Sequence, residues 1–277
     1  VGAISKGEDG HEIIDFHKCI YCGKCMTECP FGAMMDKSQL VDVIKHIMNG
    51  EKVIAIYAPS IASQFRVLAG QIENGLLKLG FSECVEVAVG ADITANKEAK
   101  EFEQRMEKGD KLMTTSCCSA YVRAVHIHVP DLDSCVSETR SPMHYTAELV
   151  KKEYPDCITV FIGPCLAKRR EGFDDEYVDY VITAEELNAF FIAKEIELSK
   201  LESIEKQNKP SSTARNFART GGVANAVKCR LKNPDLLKLD IINGLKKEEK
   251  KFVVPQFYRY IKENEYIYEE LKEGKSL

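Results

Sequence analysis

Hydrophobic residues along this chain fall into short continuous runs that alternate with longer stretches of helical periodicity. The run Val53–Tyr57 is apolar at every position and has polar neighbours, which is typical of a buried parallel strand. The apolar spacing predicts a helix over residues 37–48 and helical structure over residues 59–79. Further strands are predicted at residues 84–89, 112–115, 159–162 and 178–182. Because strand and helix alternate, we predict an α/β body with mostly parallel sheets.

Composition and charge narrow the class of protein. The 277 residues are enough for one large or two ordinary domains, and 44% hydrophobic with 29% charged residues is typical of a soluble globular protein. A net charge of -5 provides no basic field for nucleic acid, so we predict no nucleic-acid partner. No apolar run approaches a membrane span and no signal peptide opens the sequence, so we expect no membrane association and a cytoplasmic location.

Eleven cysteines are many for an intracellular chain, and their odd number argues against a complete disulfide framework. Four of them stand alone in apolar or helical surroundings, and we predict that these are ordinary core residues: Cys84, Cys135, Cys157 and Cys229. The other seven occur in three motifs, which carry the candidate chemistry.

The first motif has four cysteines in the spacing C-x2-C-x2-C-x3-C, followed by Pro30; they are Cys19, Cys22, Cys25 and Cys29. This is the bacterial ferredoxin spacing, in which thiolates bind the irons of a 4Fe–4S cluster. Gly23 allows the backbone to turn tightly around inorganic sulfur. A zinc site more usually has two separated cysteine pairs, so we predict an iron–sulfur cluster here and not zinc.

Two arrangements of this cluster remain open. The sequence opens with residues 1–4, VGAI, which resemble the tetrapeptide FGAM at residues 31–34 that follows the motif. In two-cluster ferredoxins the fourth cysteine of each motif ligates the other cluster. On that arrangement Cys29 serves a cluster whose own motif lies before Val1; on the other arrangement, all four cysteines bind one cluster.

The second motif is a pair of adjacent cysteines, Cys117 and Cys118, within TTSCCSAY. They lie between a strand predicted at residues 111–114 and a helix predicted at residues 120–128. The candidate capping residues of that helix are Ser116 and Ser119. Near a helix N-terminus the thiolate is favoured over the thiol, which suits metal ligation or nucleophilic work.

The third motif, IGPCLAKRRE, again follows a predicted strand with a turn. Cys165 lies at the tip of the turn, and Lys168 follows it by three residues, where a turn can direct both side chains into one pocket.

With the second and third motifs in this order and the ferredoxin motif upstream, the chain resembles the catalytic domain of iron-only (FeFe) hydrogenases. The resemblance implies a two-lobed α/β catalytic body with mostly parallel sheets, preceded by a small α+β ferredoxin-like segment. It implies a partial ferredoxin-like 4Fe–4S domain over residues 1–36 and a catalytic domain over residues 37–277. The two lobes are expected at about 37–150 and 151–277.

The resemblance also implies a cofactor and the residues that serve it. The H-cluster of the family is a 4Fe–4S cubane joined through a cysteine sulfur to a two-iron centre that carries carbon monoxide and cyanide. By motif match, Cys118 and Cys165 resemble two cubane ligands, and Lys168 resembles the cation that holds a cyanide. Cys117 resembles the thiol that passes protons to the two-iron centre, and Glu171 matches the acid that closes the third motif.

Three further residues, Glu98, Ser137 and Glu101, resemble the proton relay of the family. On the residues alone, Glu98 and Glu101 share a helix face within a charged stretch, for which a solvated surface is the default interpretation. A relay is physically reasonable because protons cross a dry core through titratable groups, one hydrogen-bond step at a time.

The sequence departs from the family pattern at several points. Ser119 stands where many members have proline, and Gly163 stands where many have methionine beside the two-iron centre. No stretch matches the third cysteine motif of the family, which supplies the remaining two cubane ligands. Residues 266–275 resemble the helix and linker that precede that motif, so we expect the sequence to stop just short of it and to be incomplete as a hydrogenase.

The function implied by the resemblance is reversible hydrogen oxidation and proton reduction, with electrons exchanged with ferredoxin or another redox protein. Two alternatives come from other classes: an iron–sulfur assembly or scaffold protein of the Nar1 type, and a hydrogen-sensing relative without turnover. The relay set favours the enzyme, since a scaffold has no need to move protons.

Overall fold

The structure is a computed structural model that describes residues 1–204, 210–242 and 257–261. Its contacts divide the chain into two compact units. The first unit contains Val1–Cys22, Thr94–Arg140 and the described residues from Arg219 onward, and the second contains Gly23–Ile93 and Ser141–Ala218. Each unit thus combines separated stretches of chain, whereas the expected lobes are consecutive ones.

The helices and strands follow one another in this order: β1 Ile4–Lys6, β2 Glu12–Ile14, α1 Lys24–Glu28, α2 Leu40–Met48, β3 Val53–Tyr57, α3 Ser60–Phe65, α4 Ala69–Leu79, β4 Glu83–Glu86, α5 Ala88–Lys108, β5 Leu112–Thr114, α6 Ser119–His128, α7 Pro142–Glu153, β6 Ile158–Ile162, α8 Ala167–Phe173, β7 Tyr180–Ile182, α9 Ala184–Ala193, α10 Ser212–Arg215, α11 Gly222–Lys228, β8 Lys238–Ile242 and β9 Phe257–Ile261. Short 3-10 turns occur at Pro130–Cys135, Leu198–Lys200, Asn216–Ala218 and Pro234–Leu236.

The second unit is built on a four-stranded sheet in the order β4-β3-β6-β7, with parallel pairing throughout. All five residues of β3 are buried, because this strand is central and helices cover both of its faces. Alternate residues of β3 belong to different apolar clusters, as the two-residue period of a strand requires. One cluster contains Val53, Ala55 and Tyr57 with residues of α2, α4 and α9; the other contains Ile54 and Ile56 with residues of α7.

Several predicted boundaries differ from the observed ones for local reasons. The predicted helix over residues 59–79 is two helices, because Arg66 ends α3 in the left-handed conformation at φ 55°. The predicted strand over residues 84–89 stops at Glu86, since the next helix begins at Ala88. The strand predicted at residues 178–182 begins at Tyr180.

The first unit contains a three-stranded sheet in the order β5-β9-β8, and both pairings are antiparallel. The sequence predicts that the strand at residues 112–115 belongs to a mostly parallel sheet. The observed strand β5 instead pairs antiparallel with β9, which lies far along the chain. In the same unit, Leu112 of β5 packs in an apolar cluster with Tyr121 and Val125 of α6 and with Ile20.

The N-terminal stretch forms a β1–β2 antiparallel hairpin followed by the short helix α1, as a small α+β segment. None of the helices in the described part of the chain has the length and apolar composition that a bilayer crossing needs. The helix expected at residues 266–275 lies outside the described residues.

Candidate active site

The cysteine pair lies where the sequence predicted, directly between β5 and α6 in the first unit. Cys117 and Cys118 are half-buried, and α6 begins at Ser119, so both cysteines directly precede the first turn of a helix, where the helix dipole favours negative charge. The predicted cap is wrong. Cys118 occupies the N-cap position without a capping hydrogen bond from its side chain, and the Ser116 hydroxyl donates to the Thr139 carbonyl oxygen.

The side chain of Glu98 is fully buried, although it belongs to a helix rich in charged residues. Its Oε1 accepts the Thr115 hydroxyl at 2.6 Å and the Ser116 backbone N–H at 3.2 Å. Within the described residues, Oε2 is buried and has no hydrogen-bond partner. Burial raises the pKa of Glu98 to about 7, because loss of solvation outweighs the opposing effect of the two hydrogen bonds.

One helical turn further, Glu101 lies in a different environment. It accepts the Ser137 hydroxyl at 2.6 Å, the Thr139 hydroxyl at 2.9 Å and the Glu138 N–H at 2.9 Å, and it pairs with Arg105 at 2.8 Å. Burial alone would raise its pKa, but these hydrogen bonds and the guanidinium charge outweigh burial and lower the pKa.

The first unit therefore brings together three of the predicted relay residues, Glu98, Ser137 and Glu101. The pKa of Glu98 is raised and that of Glu101 is lowered. Ser137 is buried and donates to Glu101, and its hydroxyl also lowers the pKa of Glu98 slightly. Glu98 contacts the backbone of Ser116, the residue before Cys117. Two carboxyl groups whose environments separate their pKa values, with a hydroxyl between them, can hold and pass a proton at neutral pH.

Sequence reasoning missed two residues of this cluster. Arg105 pairs with Glu101 and donates to the carbonyl oxygens of Ser134 and Val136 at 2.7 and 2.9 Å, and Thr115 fixes Glu98. The Glu101–Arg105 spacing of four residues is a signal for such a pair on a helix. Thr115 carried no signal beyond its place next to the cysteine motif.

A second set of predicted residues lies in the second unit, around the N-terminal turn of α8. Cys165 is exposed, and Lys168 is only 12% exposed with its Nζ 2.5 Å from Glu171 Oε2. The Ser141 hydroxyl, which the sequence did not point to, donates to the other oxygen of Glu171. The ammonium group of Lys168 is thus held by one oxygen of the Glu171 carboxylate, and the Ser141 hydroxyl fixes the other oxygen.

The ferredoxin motif shows hydrogen bonds to sulfur. The Tyr21 N–H donates to Cys19 Sγ at 3.4 Å, and the backbone N–H groups of Phe31, Ala33 and Met34 lower the pKa of Cys29. Such donors stabilise thiolate ligands of iron–sulfur clusters, so the donor chemistry fits a 4Fe–4S cluster. Gly23 adopts the left-handed conformation at φ 72°, as a tight turn requires. In the described part of the chain, no three His, Cys, Asp or Glu side chains surround a single metal-ion position.

The isolated cysteines have mixed positions. Cys84 and Cys157 are buried as predicted, and Cys135 is half-buried. The prediction for Cys229 is wrong, because this residue follows the last turn of α11 and is exposed.

Comparison with known proteins decides the family. Residues 51–265 match the family described as "Iron only hydrogenase large subunit, C-terminal domain". The chain belongs to the iron-only hydrogenase family. Residues 12–35 match the 4Fe-4S binding domain, which confirms the predicted iron–sulfur motif.

Curated relatives and solved structures agree with this assignment to the iron-only hydrogenases. The chain is 30% identical to iron hydrogenase 1 of Clostridium pasteurianum, over 77% of the chain and 50% of the relative. It is 31% identical to the periplasmic [Fe] hydrogenase large subunit of Nitratidesulfovibrio vulgaris, over 77% and 66%. A variant of HydA1 FeFe-hydrogenase from Chlamydomonas reinhardtii has a TM-score of 0.62 at 24% identity, over 76% of this chain and 62% of that chain, and confirms the fold. The chain thus spans about half to two thirds of these relatives.

A more distant relative belongs to a different functional class. The chain is 23% identical to the cytosolic Fe-S cluster assembly factor NAR1 of Kluyveromyces lactis, over 67% of the chain and 43% of the relative.

We expect the raised pKa of Glu98 to appear in the pH dependence of stability. Because its folded pKa of about 7 exceeds the ordinary 4.5, its contribution to stability is fully present below pH 4.5 and is lost as pH rises through 7. The side chain of Glu98→Gln stays neutral at all pH values. The free energy of unfolding of this variant, relative to that of wild type, should therefore increase by on the order of 2 kcal/mol between pH 5 and pH 8. Urea unfolding at both pH values measures this growth.

Glu107→Gln is the matched control, since Glu107 lies on the exposed side of the same helix. Its difference from wild type should not grow over this range. A difference for Glu98→Gln that is equal at pH 5 and pH 8 would show that the carboxyl group does not titrate between them.

Proposed function

We propose that this chain forms the catalytic body of an enzyme that interconverts two protons and two electrons with hydrogen. The observation that carries the proposal is the buried acid cluster of Glu98, Ser137 and Glu101 beside the Cys117–Cys118 turn. A buried carboxyl group with one unpartnered oxygen lowers stability, and a purely structural role would be served better by an apolar side chain.

The proposed proton route starts at Glu101, which is the more exposed of the two acids at 18%. Its ionised form accepts a proton. The Ser137 hydroxyl, which donates to ionised Glu101, then rotates, accepts that proton from Glu101 and passes its own proton to Glu98. Glu98 is half-protonated near neutral pH and can receive or release it without a large energy change. Cys117 is the last group of the route, two residues beyond Thr115, which fixes Glu98.

By motif match with the family, two cysteines of this chain would supply thiolates to the cubane of an H-cluster. Cys118 at the start of α6 and Cys165 before α8 are the proposed thiolate ligands, and Lys168 is the proposed cation for a cyanide. Glu171 and Ser141 hold the ammonium group of Lys168 in place. When bound, the H-cluster supplies the two-electron chemistry at hydrogen.

Electrons are proposed to enter through a 4Fe–4S cluster held by the first cysteine motif. Its physiological partner is proposed to be a ferredoxin or another small redox protein in the cytoplasm, with hydrogen and protons as the substrates.

The alternative is a scaffold for iron–sulfur assembly, as in the NAR1-like relative. The observation behind it is the 23% identity of this chain to that relative, over 67% of the chain.

The deciding experiment uses the whole protein, purified without oxygen from its source. Intact mass, iron and sulfide per chain, the infrared absorption of bound carbon monoxide and cyanide, and hydrogen production from reduced methyl viologen are measured on one preparation. The proposal predicts iron beyond the ferredoxin cluster, the infrared bands and turnover. Cubane iron alone, with neither bands nor turnover, would establish the scaffold.

A further inference from the structure

Helix α6 begins at the cysteine pair, and its middle and end contact the ferredoxin loop, which we define as residues 15–22. Arg123 donates from Nε to the Cys19 carbonyl oxygen at 2.7 Å and from a terminal nitrogen to the Phe16 carbonyl oxygen at 2.9 Å. At the end of the helix, His128 Nε2 donates to the Lys18 carbonyl oxygen at 2.8 Å. The loop is therefore fixed to α6 at three of its backbone carbonyl groups.

Apolar packing supports the same attachment. Ile20, next to Cys19, is 6% exposed and packs with Tyr121 and Val125 of α6. A buried isoleucine between two candidate cluster ligands fixes the loop from within, so the loop and the helix form one packed body inside the first unit.

Arg123 also contacts an aromatic ring. Its guanidinium carbon lies 4.9 Å from the centre of the Tyr21 ring, and that ring stacks on Phe16 at 6.3 Å. Tyr21 has a backbone φ of 55°, a left-handed conformation that costs a non-glycine residue free energy and persists only when its surroundings hold it. In this conformation the Tyr21 N–H donates to Cys19 Sγ.

We propose that Arg123 is a positioning residue for the 4Fe–4S cluster of the ferredoxin loop. Through Tyr21 it maintains the N–H to sulfur hydrogen bond on Cys19, and its own positive charge lies beside the ligand. Both effects stabilise the more negative, reduced cluster and so raise its reduction potential. Because Arg123 lies on the helix that starts at Cys117–Cys118, it also joins the electron-entry loop to the candidate active site. This inference rests on the iron–sulfur part of the proposed function.

The test compares wild type with Arg123→Gln, Arg123→Lys and Tyr21→Phe in the whole protein with its cluster. A dithionite titration followed by electron paramagnetic resonance measures the midpoint potential of the one-electron reduction. We expect a shift to lower potential in Arg123→Gln, a smaller shift in Arg123→Lys and none in Tyr21→Phe, which keeps the ring. Lys152→Gln removes an exposed positive charge on α7 and is the charge control.

A readout without the cluster separates the two proposals. In apo protein, amide hydrogen exchange at residues 16–21 should be faster in Arg123→Gln than in wild type and unchanged in Lys152→Gln. If wild type holds no cluster, the proposed function fails. The exchange rates of residues 16–21 still show whether Arg123 holds the ferredoxin loop in place. If Arg123→Gln keeps both the wild-type potential and the wild-type exchange, the positioning role is overturned. Selective loss of cluster iron with retained helix content would support the role.

Discussion

On the proposed function, Glu98→Gln should lower hydrogen turnover by about 10²–10⁴-fold, the range typical of a lost proton-transfer group. Glutamine has nearly the same shape and can keep the contacts to Thr115 and Ser116, but it cannot take up and release a proton. Oε2 is buried and has no hydrogen-bond partner among the described residues, so the carboxyl group is shielded from solvent. Hydrogen production from reduced methyl viologen, normalised to iron content, is the measurement.

Two companions make this result specific. Glu98→Asp keeps a titrating carboxyl group one methylene short of its position and should retain part of the activity, whereas Glu107→Gln on the exposed side of the same helix should retain all of it. Cluster reduction by dithionite should be unchanged in Glu98→Gln, since electrons do not pass through the carboxyl group. Turnover within threefold of wild type would remove Glu98 from the proton route.

The cysteine motifs could be located from the sequence because their signals are local. An apolar strand, a turn and an amphipathic helix are adjacent in the chain at TTSCCSAY, and the observed α6 starts within one residue of the prediction. The four-stranded parallel sheet follows from the same kind of signal, since continuous apolar runs are separated by helical spacing. At this motif the predicted capping residue was wrong, because Ser116 bonds to Thr139, which is distant in sequence.

The burial of Glu98 could not be predicted with the same certainty. Lys97 and Lys100 beside it are exposed and make the stretch resemble a solvated face. The buried side of α5 is marked mainly by alanines such as Ala95 and Ala99, whose small side chains give a weak hydrophobic signal. Position 98 falls between Ala95 and the buried Phe102 at helical spacing, which is the signal that points inward.

Two features depend on pairings between segments that are distant in sequence. The partner of β5 is β9, more than a hundred residues later, and nothing in the run of residues 112–114 specifies an antiparallel neighbour. The contacts of Arg123 with the ferredoxin loop also join distant segments, so a single arginine on a helix carried no signal of these contacts.

Gly90→Ala should destabilise the protein by about 1–3 kcal/mol, against the usual effect of this substitution in a helix. Within α5, alanine normally gains up to about 1 kcal/mol over glycine. Here an added Cβ would lie 2.2 Å from the Pro142 carbonyl oxygen and 2.4 Å from the Thr146 hydroxyl oxygen. That hydroxyl also accepts the Gly90 N–H at 3.2 Å, so the displacement needed to admit the methyl group would break a buried hydrogen bond.

The cost of the steric clash therefore exceeds the gain in helix propensity. The test is whether the free energy of unfolding falls or rises in Gly90→Ala. Urea unfolding of Gly90→Ala should give a lower midpoint than wild type, while Lys100→Ala, at an exposed position of the same helix, should give an equal or higher one. Because Gly90 lies away from Glu98 along α5, the folded variant should keep its iron content. A midpoint above that of wild type would mean that α5 and α7 can separate at this crossing without loss of packing.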